Sequence, residues 1–156
     1  SIGNFDRTGA LTLLRQARDL SAGGALLIGV DLVKATEVLE AAYDDALGVT
    51  AAFNLNLLRH LNTLLGANFD VRQWRHVALF NRVESRIEMH LEARNAQVVE
   101  WPGGERRFAA GDRIHTENSY KWTKDGFGDL LREAGFDSPQ LWTDARDWFG
   151  LFLASG

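Results

Sequence analysis

A helical repeat that runs into two glycines and then straight into an apolar strand constrains this chain more than any other feature. Leu11, Leu14, Ala17 and Leu20, with Leu13 beside them, recur at helical spacing behind Thr8, a candidate N-cap. Gly23-Gly24 ends that helix, because glycine takes the left-handed C-terminal position at little steric cost. Ala25-Leu-Leu-Ile-Gly-Val30 follows as a continuously apolar run. That pattern predicts a strand buried on both faces, as in parallel sheets covered by helices. Helix, glycines and buried strand form half of a doubly wound α/β unit.

Further helices are predicted over Thr36–Leu47, ending at Gly48, and from near Thr50 to Gly66, the latter carrying Leu57, Leu58, Leu61, Leu64 and Leu65. From Arg86 to Arg94 the sequence alternates, with Ile87, Met89, Leu91 and Ala93 facing one way and charged residues and His90 the other, as in a half-buried antiparallel strand. Short strands are expected at Gln97–Trp101 and Glu105–Phe108, around a Pro102-Gly103-Gly104 turn, and at Arg113–Ser119 after the Gly111-Asp112 turn. Thr123 caps a final helix through Phe127, Leu130, Leu131 and Ala134 to Gly135. Leu141–Thr143 and Trp148–Leu153 close the chain as two apolar segments.

The fold class is therefore α/β. Residues 1–33 and 123–156 read as a helix-strand scaffold of the doubly wound type, and 34–122 as a mixed α+β insert. A doubly wound sheet needs more strands than this scaffold offers. The expectation is a fragment whose missing part lies before Ser1, with an open sheet edge that invites self-association.

Composition removes several function classes. With 156 residues, 46% apolar and 24% charged, the chain can bury a core, and without cysteine it has neither disulfides nor thiolate metal ligands. A net charge of −4 with no basic cluster argues against nucleic-acid and anionic-membrane partners. No apolar run approaches the roughly 20 residues of a membrane span, and a cytoplasmic protein is expected. Gly23-Gly24 precede a strand instead of joining strand to helix, so they do not form a phosphate loop. His115-Thr-Glu117 lacks the cysteines that a zinc deaminase requires. The four histidines show no ligand spacing, so no metal is expected.

Polar chemistry concentrates in Ile114-His-Thr-Glu-Asn-Ser-Tyr-Lys121. On a strand, His115, Glu117 and Ser119 share a face. A carboxylate beside a hydroxyl can accept from and donate to a small polar ring, and a solvated edge strand would satisfy the same spacing. Asn4 suits either a ligand contact or a local cap, Tyr43 suits helix packing, and Met89 suits the core.

Five strings change that reading: SIGNF (Ser1–Phe5), LLIGVDLVK (Leu26–Lys34), AAYDDALGVTAAFNLN (Ala41–Asn56), RIEMHL (Arg86–Leu91) and IHTENSYKW (Ile114–Trp122). In order and spacing, over essentially the whole chain, they resemble the S-adenosylmethionine-dependent histidine Nα-methyltransferases of ergothioneine biosynthesis. Trp122 departs from the tyrosine or phenylalanine usual there. The resemblance implies a methyltransferase Rossmann fold with a separate substrate-binding domain: residues 1–33 and 123–156 are then the C-terminal part of a Rossmann-like sheet, and 34–122 an inserted α+β substrate-recognition domain. It also implies L-histidine trimethylated on its amino nitrogen to hercynine. By motif, Asn4 would contact the amino and carboxylate end, Tyr43 the carboxylate, and Met89 the imidazole pocket. Glu117 and Ser119 would hydrogen-bond the imidazole nitrogens, with Asn118 adjacent. No catalytic base is implied, and the main S-adenosylmethionine site is expected outside this chain. A non-catalytic amino-acid or imidazole-binding module, or an interaction domain, is the alternative.

Overall fold

Helix α1 covers Arg7–Ser21 in the computed structural model, which describes residues 1–156. Its N-cap is Asp6, not Thr8: the Asp6 carboxylate accepts from Gly9 N–H at 2.7 Å, and an anion there also complements the helix dipole. After left-handed Ala22 and Gly23 the chain enters β1, Ala25–Asp31.

The expectation of a parallel strand buried on both faces is overturned. The sheet partner of β1 is β8 (Phe149–Ser155), antiparallel from Ala25↔Ser155 to Asp31↔Phe149, and β7 (Asp137–Thr143) lies beyond in the order β1-β8-β7. As an edge strand, β1 leaves Leu27 60% exposed and fully buries only Val30. A run of apolar side chains records affinity for a core but not the direction of its neighbour, and here the terminal hairpin supplies that neighbour. Gly29 is required by close approach, since a Cβ there would meet the Phe149 ring at 2.5 Å. Helix α4 (Lys124–Glu133) is capped by Thr123 as the sequence predicts, Oγ1 accepting from Gly126 N–H at 3.0 Å. Ala10 and Leu14 of α1 with Phe127, Leu130 and Leu131 of α4 pack on Val30, Phe152 and Ala154 of the sheet.

These elements belong to one of two compact units, comprising residues 1–35, 81–86 and 118–156; the other comprises 36–80 and 87–117. In the second unit α2 (Thr36–Tyr43) ends before the expected Leu47. Asp45 causes the stop: its carboxylate accepts from Val49 N–H at 3.0 Å and Thr50 N–H at 2.8 Å, opening α3 (Val49–Leu65). Helix α3 ends at left-handed Gly66, as expected.

A strand that no sequence pattern announced, β2 (Trp74–Asn81), flanks β3 (Arg86–Ala93), with β6 (Arg113–Tyr120) on the other side. This central place corrects the expectation of a solvated charged face on β3, because Glu88 and Glu92 are buried. Glu92 is compensated from both neighbouring strands: Arg113 Nε donates at 2.8 Å and Arg75 pairs with the other oxygen. The hairpin β4 (Gln97–Trp101) and β5 (Gly104–Phe108) closes a core around Trp74, where Phe108 meets the indole edge-on at 4.9 Å. No helix is long and apolar enough to cross a membrane.

Candidate functional site

In the second unit, Tyr43 at the end of α2 packs against a buried cluster of Leu39, Ile87 and Met89. Two of the residues singled out by sequence, Tyr43 and Met89, therefore share one apolar nucleus. The backbone at Tyr43 is fixed by His76, whose Nε2 lies 2.7 Å from the Tyr43 carbonyl while its Nδ1 lies 2.9 Å from Asn54 Nδ2. A carbonyl only accepts and an amide nitrogen only donates, so His76 is the neutral tautomer protonated on Nε2. Asn54, buried in α3, also donates to the His90 carbonyl at 3.2 Å. One neutral histidine and one asparagine thus bind the end of α2, the first turns of α3 and strand β3 together.

Glu117 comes from β6. The hydroxyl of the preceding Thr116 donates to the Met89 carbonyl at 2.9 Å, which registers this part of β6 against β3. Glu117 lines a cavity of about 270 Å³ with Phe53, Asn54, Asn56, Leu57 and His60 of α3. The Thr116–Tyr120 segment is half-buried, so it is not the fully solvated edge that its spacing also allowed.

The first unit holds the other three residues. Asn4 ends a short 3₁₀ turn, Ile2–Asn4. That turn rests on Ser119: a Cβ built on Gly3 would lie 3.6 Å from Ser119 Oγ. Ser119 Oγ accepts from Lys121 Nζ at 2.9 Å, and Lys121 Nζ is 2.8 Å from Asp31 Oδ2. The Lys121 side chain is wholly buried, and Lys34 pairs with the other Asp31 oxygen. Between Glu117 and Ser119 in sequence, Asn118 has its Oδ1 buried without a hydrogen-bond partner.

Sequence reasoning missed Asp31 and Lys121, although both stand in the quoted strings. The available signals were an aspartate closing an apolar strand and a lysine spaced i+2 from a candidate serine. It also missed that two histidines come together. The His90 and His115 rings stack at 4.6 Å, and with Glu88 they offer ligand atoms within 4.8 Å of one another. Zinc ligands at about 2.1 Å in a tetrahedron lie roughly 3.4 Å apart, closer together than this spread. Burial holds His90 below the ordinary histidine range, opposed by its hydrogen bond to Glu88 at 3.2 Å. The cluster is a polar network on the sheet.

A family model described as "Histidine-specific methyltransferase, SAM-dependent" matches residues 1–156. The chain is 45% identical over 157 residues to a protein named histidine N-alpha-methyltransferase from Mycolicibacterium smegmatis, covering 99% of this chain and 49% of that protein. It is 32% identical over 158 residues to ergothioneine biosynthesis protein 1 of Neurospora crassa, covering 98% of this chain and 17% of that protein. A solved S-adenosylmethionine-dependent methyltransferase from Clostridium acetobutylicum superposes with a TM-score of 0.46 at 10% identity, over 99% of this chain and 54% of that one. The chain spans about half the length of the histidine N-alpha-methyltransferases it matches.

Proposed function

Because the chain belongs to the histidine-specific, S-adenosylmethionine-dependent methyltransferases, we propose that it supplies the histidine-recognition part of an enzyme that trimethylates the α-amino group of L-histidine to hercynine. Asn4 contacts the amino and carboxylate end of the amino acid, Tyr43 the carboxylate, and Met89 the imidazole pocket. Glu117 accepts from one ring nitrogen, Ser119 donates to the other, and Asn118 stands adjacent. Neutral imidazole has one N–H and one bare nitrogen, so a carboxylate and a hydroxyl read both ends of the ring. An apolar amino acid offers neither a donor to Glu117 nor an acceptor to Ser119, and is rejected on that ground. Placement of the amine accounts for this chain's contribution to rate, and no residue here is assigned as a general base.

One observation carries the reading furthest: the buried, unpartnered Oδ1 of Asn118 inside the family's motif. A buried acceptor without a donor is destabilising, and it is tolerated where a ligand N–H completes it.

S-adenosylmethionine supplies the methyl group. The glycine-rich loop that holds a cofactor in this fold class joins a strand to a following helix, whereas Gly23-Gly24 here join α1 to β1. The residues of this chain do not fit that part of the site. The 156-residue chain alone is therefore expected not to bind S-adenosylmethionine tightly; micromolar binding by calorimetry would count against this. The unpaired edge of β1 also leads us to expect self-association of the chain alone, and light scattering that reports a monomer at high concentration would refute it.

The deciding assay is methyl transfer to histidine by the full-length protein that contains this chain, followed by mass spectrometry. Glu117→Ala should lose discrimination between histidine and other amino acids. Unchanged discrimination would remove Glu117 from ring recognition.

A further inference from the structure

We infer that His76 is a positioning residue for histidine binding: it ties the Tyr43 carbonyl to Asn54 in the wall of the Glu117 cavity, and so fixes the spacing between the carboxylate contact and the ring contact. The inference deepens the histidine reading above and rests on it.

Tyr43 is the last residue of α2, and the last carbonyls of a helix have no donor within it. His76, half-buried on β2, supplies one: its Nε2 lies 2.7 Å from the Tyr43 carbonyl oxygen. Earlier in α2 the Glu40 carboxylate accepts from Phe80 N–H, also on β2, at 2.9 Å. One such tie leaves a helix free to swing about it. The second, at the helix end, sets where the Tyr43 ring enters the cluster of Leu39, Ile87 and Met89.

The far side of the imidazole is held as firmly. Asn54 Nδ2 lies 2.9 Å from His76 Nδ1 and 3.2 Å from the His90 carbonyl oxygen. That oxygen only accepts, so it fixes which way the Asn54 amide faces, and His76 Nδ1 takes the other N–H of the same nitrogen. Asn54 is 3% exposed and lines the cavity that contains Glu117. The bridge therefore runs from the end of α2, through β2, to the α3 wall of that cavity. Completing it takes a donor at one end and an acceptor at the other, which neutral imidazole has.

A site that grips an amino acid by both its carboxylate and its ring depends on the distance between the two grips. Supporting residues hold such contacts to within about 0.5 Å of the productive geometry, and misplacement is felt as weaker binding and poorer alignment. Leu39, Ile87 and the Glu40 tie remain when His76 is replaced, so α2 keeps its place on the sheet while its end loses definition.

The test uses the full-length protein and histidine methylation kinetics. His76→Leu removes donor and acceptor together and should raise the KM for histidine about tenfold while changing kcat less. His76→Gln carries an N–H donor and a carbonyl acceptor on one planar group and should recover most of that loss. In a Tyr43→Phe background His76→Leu should add little, because both changes act on the same contact. Additive losses, or a Gln variant no better than Leu, would make His76 a support of the fold alone and would overturn the assignment. The unmutated protein supplies a reading that no folding defect can spoil. In protein carrying ¹⁵N-labelled histidine, with His76→Gln assigning the signal, saturating unlabelled L-histidine should shift the His76 ring nitrogens; a signal unmoved by bound histidine overturns the inference. Full-length protein that neither binds nor methylates histidine would defeat the functional reading and this inference with it, an outcome distinct from those above.

Discussion

The two units bury opposite charges, and they compensate them differently. In the first, Lys121 is 0% exposed at its side chain and its carboxylate partner Asp31 is 34% exposed. In the second, Glu92 is 9% exposed and is reached by Arg75 at 53% and Arg113 at 42%. A guanidinium is large, planar and weakly hydrated, so two of them can extend donors to a buried carboxylate while their far edges stay wet. An ammonium is a compact, strongly hydrated charge, and buried Lys121 meets the Asp31 carboxylate at 2.8 Å. The first arrangement concentrates its compensation at Asp31, and the second divides it between two strands. That division suits different tasks: Lys121 holds a candidate ligand-contacting serine, while Glu92 ties β3 to its neighbours.

The largest effect should come from Asp31→Asn. It removes the carboxylate charge opposite the buried Lys121 ammonium, and breaking a buried pair from one side costs roughly 3–5 kcal/mol. The rim position of Asp31 argues for the lower figure, about 3 kcal/mol in urea unfolding of the chain. A loss below about 1 kcal/mol would show that Lys121 finds another partner and would break the comparison. Glu92→Gln should cost less, because each arginine it releases is already hydrated at its outer edge. Hydrogen bonds from Arg113 and then Arg75 hold the Glu92 carboxyl below the ordinary glutamate range. A depressed folded pKa means stabilisation that is complete above the unfolded value and is lost as pH falls through the folded one. Wild type and Glu92→Gln should therefore converge in stability below about pH 4.3, the unfolded glutamate value, as seen in denaturant midpoints across pH. A Glu92→Gln loss as large as that of Asp31→Asn would erase the distinction between the two nodes.

What could be read from the sequence follows the range over which each signal acts. Helices α3 and α4 were legible because Gly66, Thr123 and the leucine spacing are local. The turn at Gly103 and the β4–β5 hairpin were legible for the same reason. Strand β1 was located correctly but given the wrong neighbour, since pairing with β8 is a contact between opposite ends of the chain. Strand β2 escaped because Trp74–Asn81 does not alternate: it is partly covered along most of its length. At the candidate site, the residues carried by short strings could be named: Asn4, Tyr43, Met89, Glu117, Asn118 and Ser119. Their supports could not. Asp31 and Lys121 lie far apart in sequence and meet only when β1 and the end of β6 fold together. His76 likewise acquires its role from Tyr43 and Asn54, each on a different element.

The smallest expected effect tests a third way of holding an anion, with neither burial nor an arginine. Asp45 is held by backbone: the N–H of Thr50 and then of Val49 lower its carboxyl from 3.8 to about 2, with a further bond from the Thr50 side chain. The folded value is the depressed one, so this stabilisation is complete above about pH 3.8 and is lost as pH falls towards about 2. Asparagine does not titrate, and its single acceptor oxygen can keep one of these two backbone bonds. Asp45→Asn should therefore cost less at neutral pH than Glu92→Gln and flatten the acid limb between about pH 4 and about pH 2. Circular dichroism at 222 nm with urea, at several pH values in that window, reads it directly. If the variant retains the full acid dependence, the titrating group is elsewhere, Glu92 being the next to examine. If it instead costs as much as Glu92→Gln at neutral pH, the charge of Asp45 near the N-terminus of α3 matters beside its hydrogen bonds, and a half-buried anion at a helix end would then rank beside the buried one in the sheet.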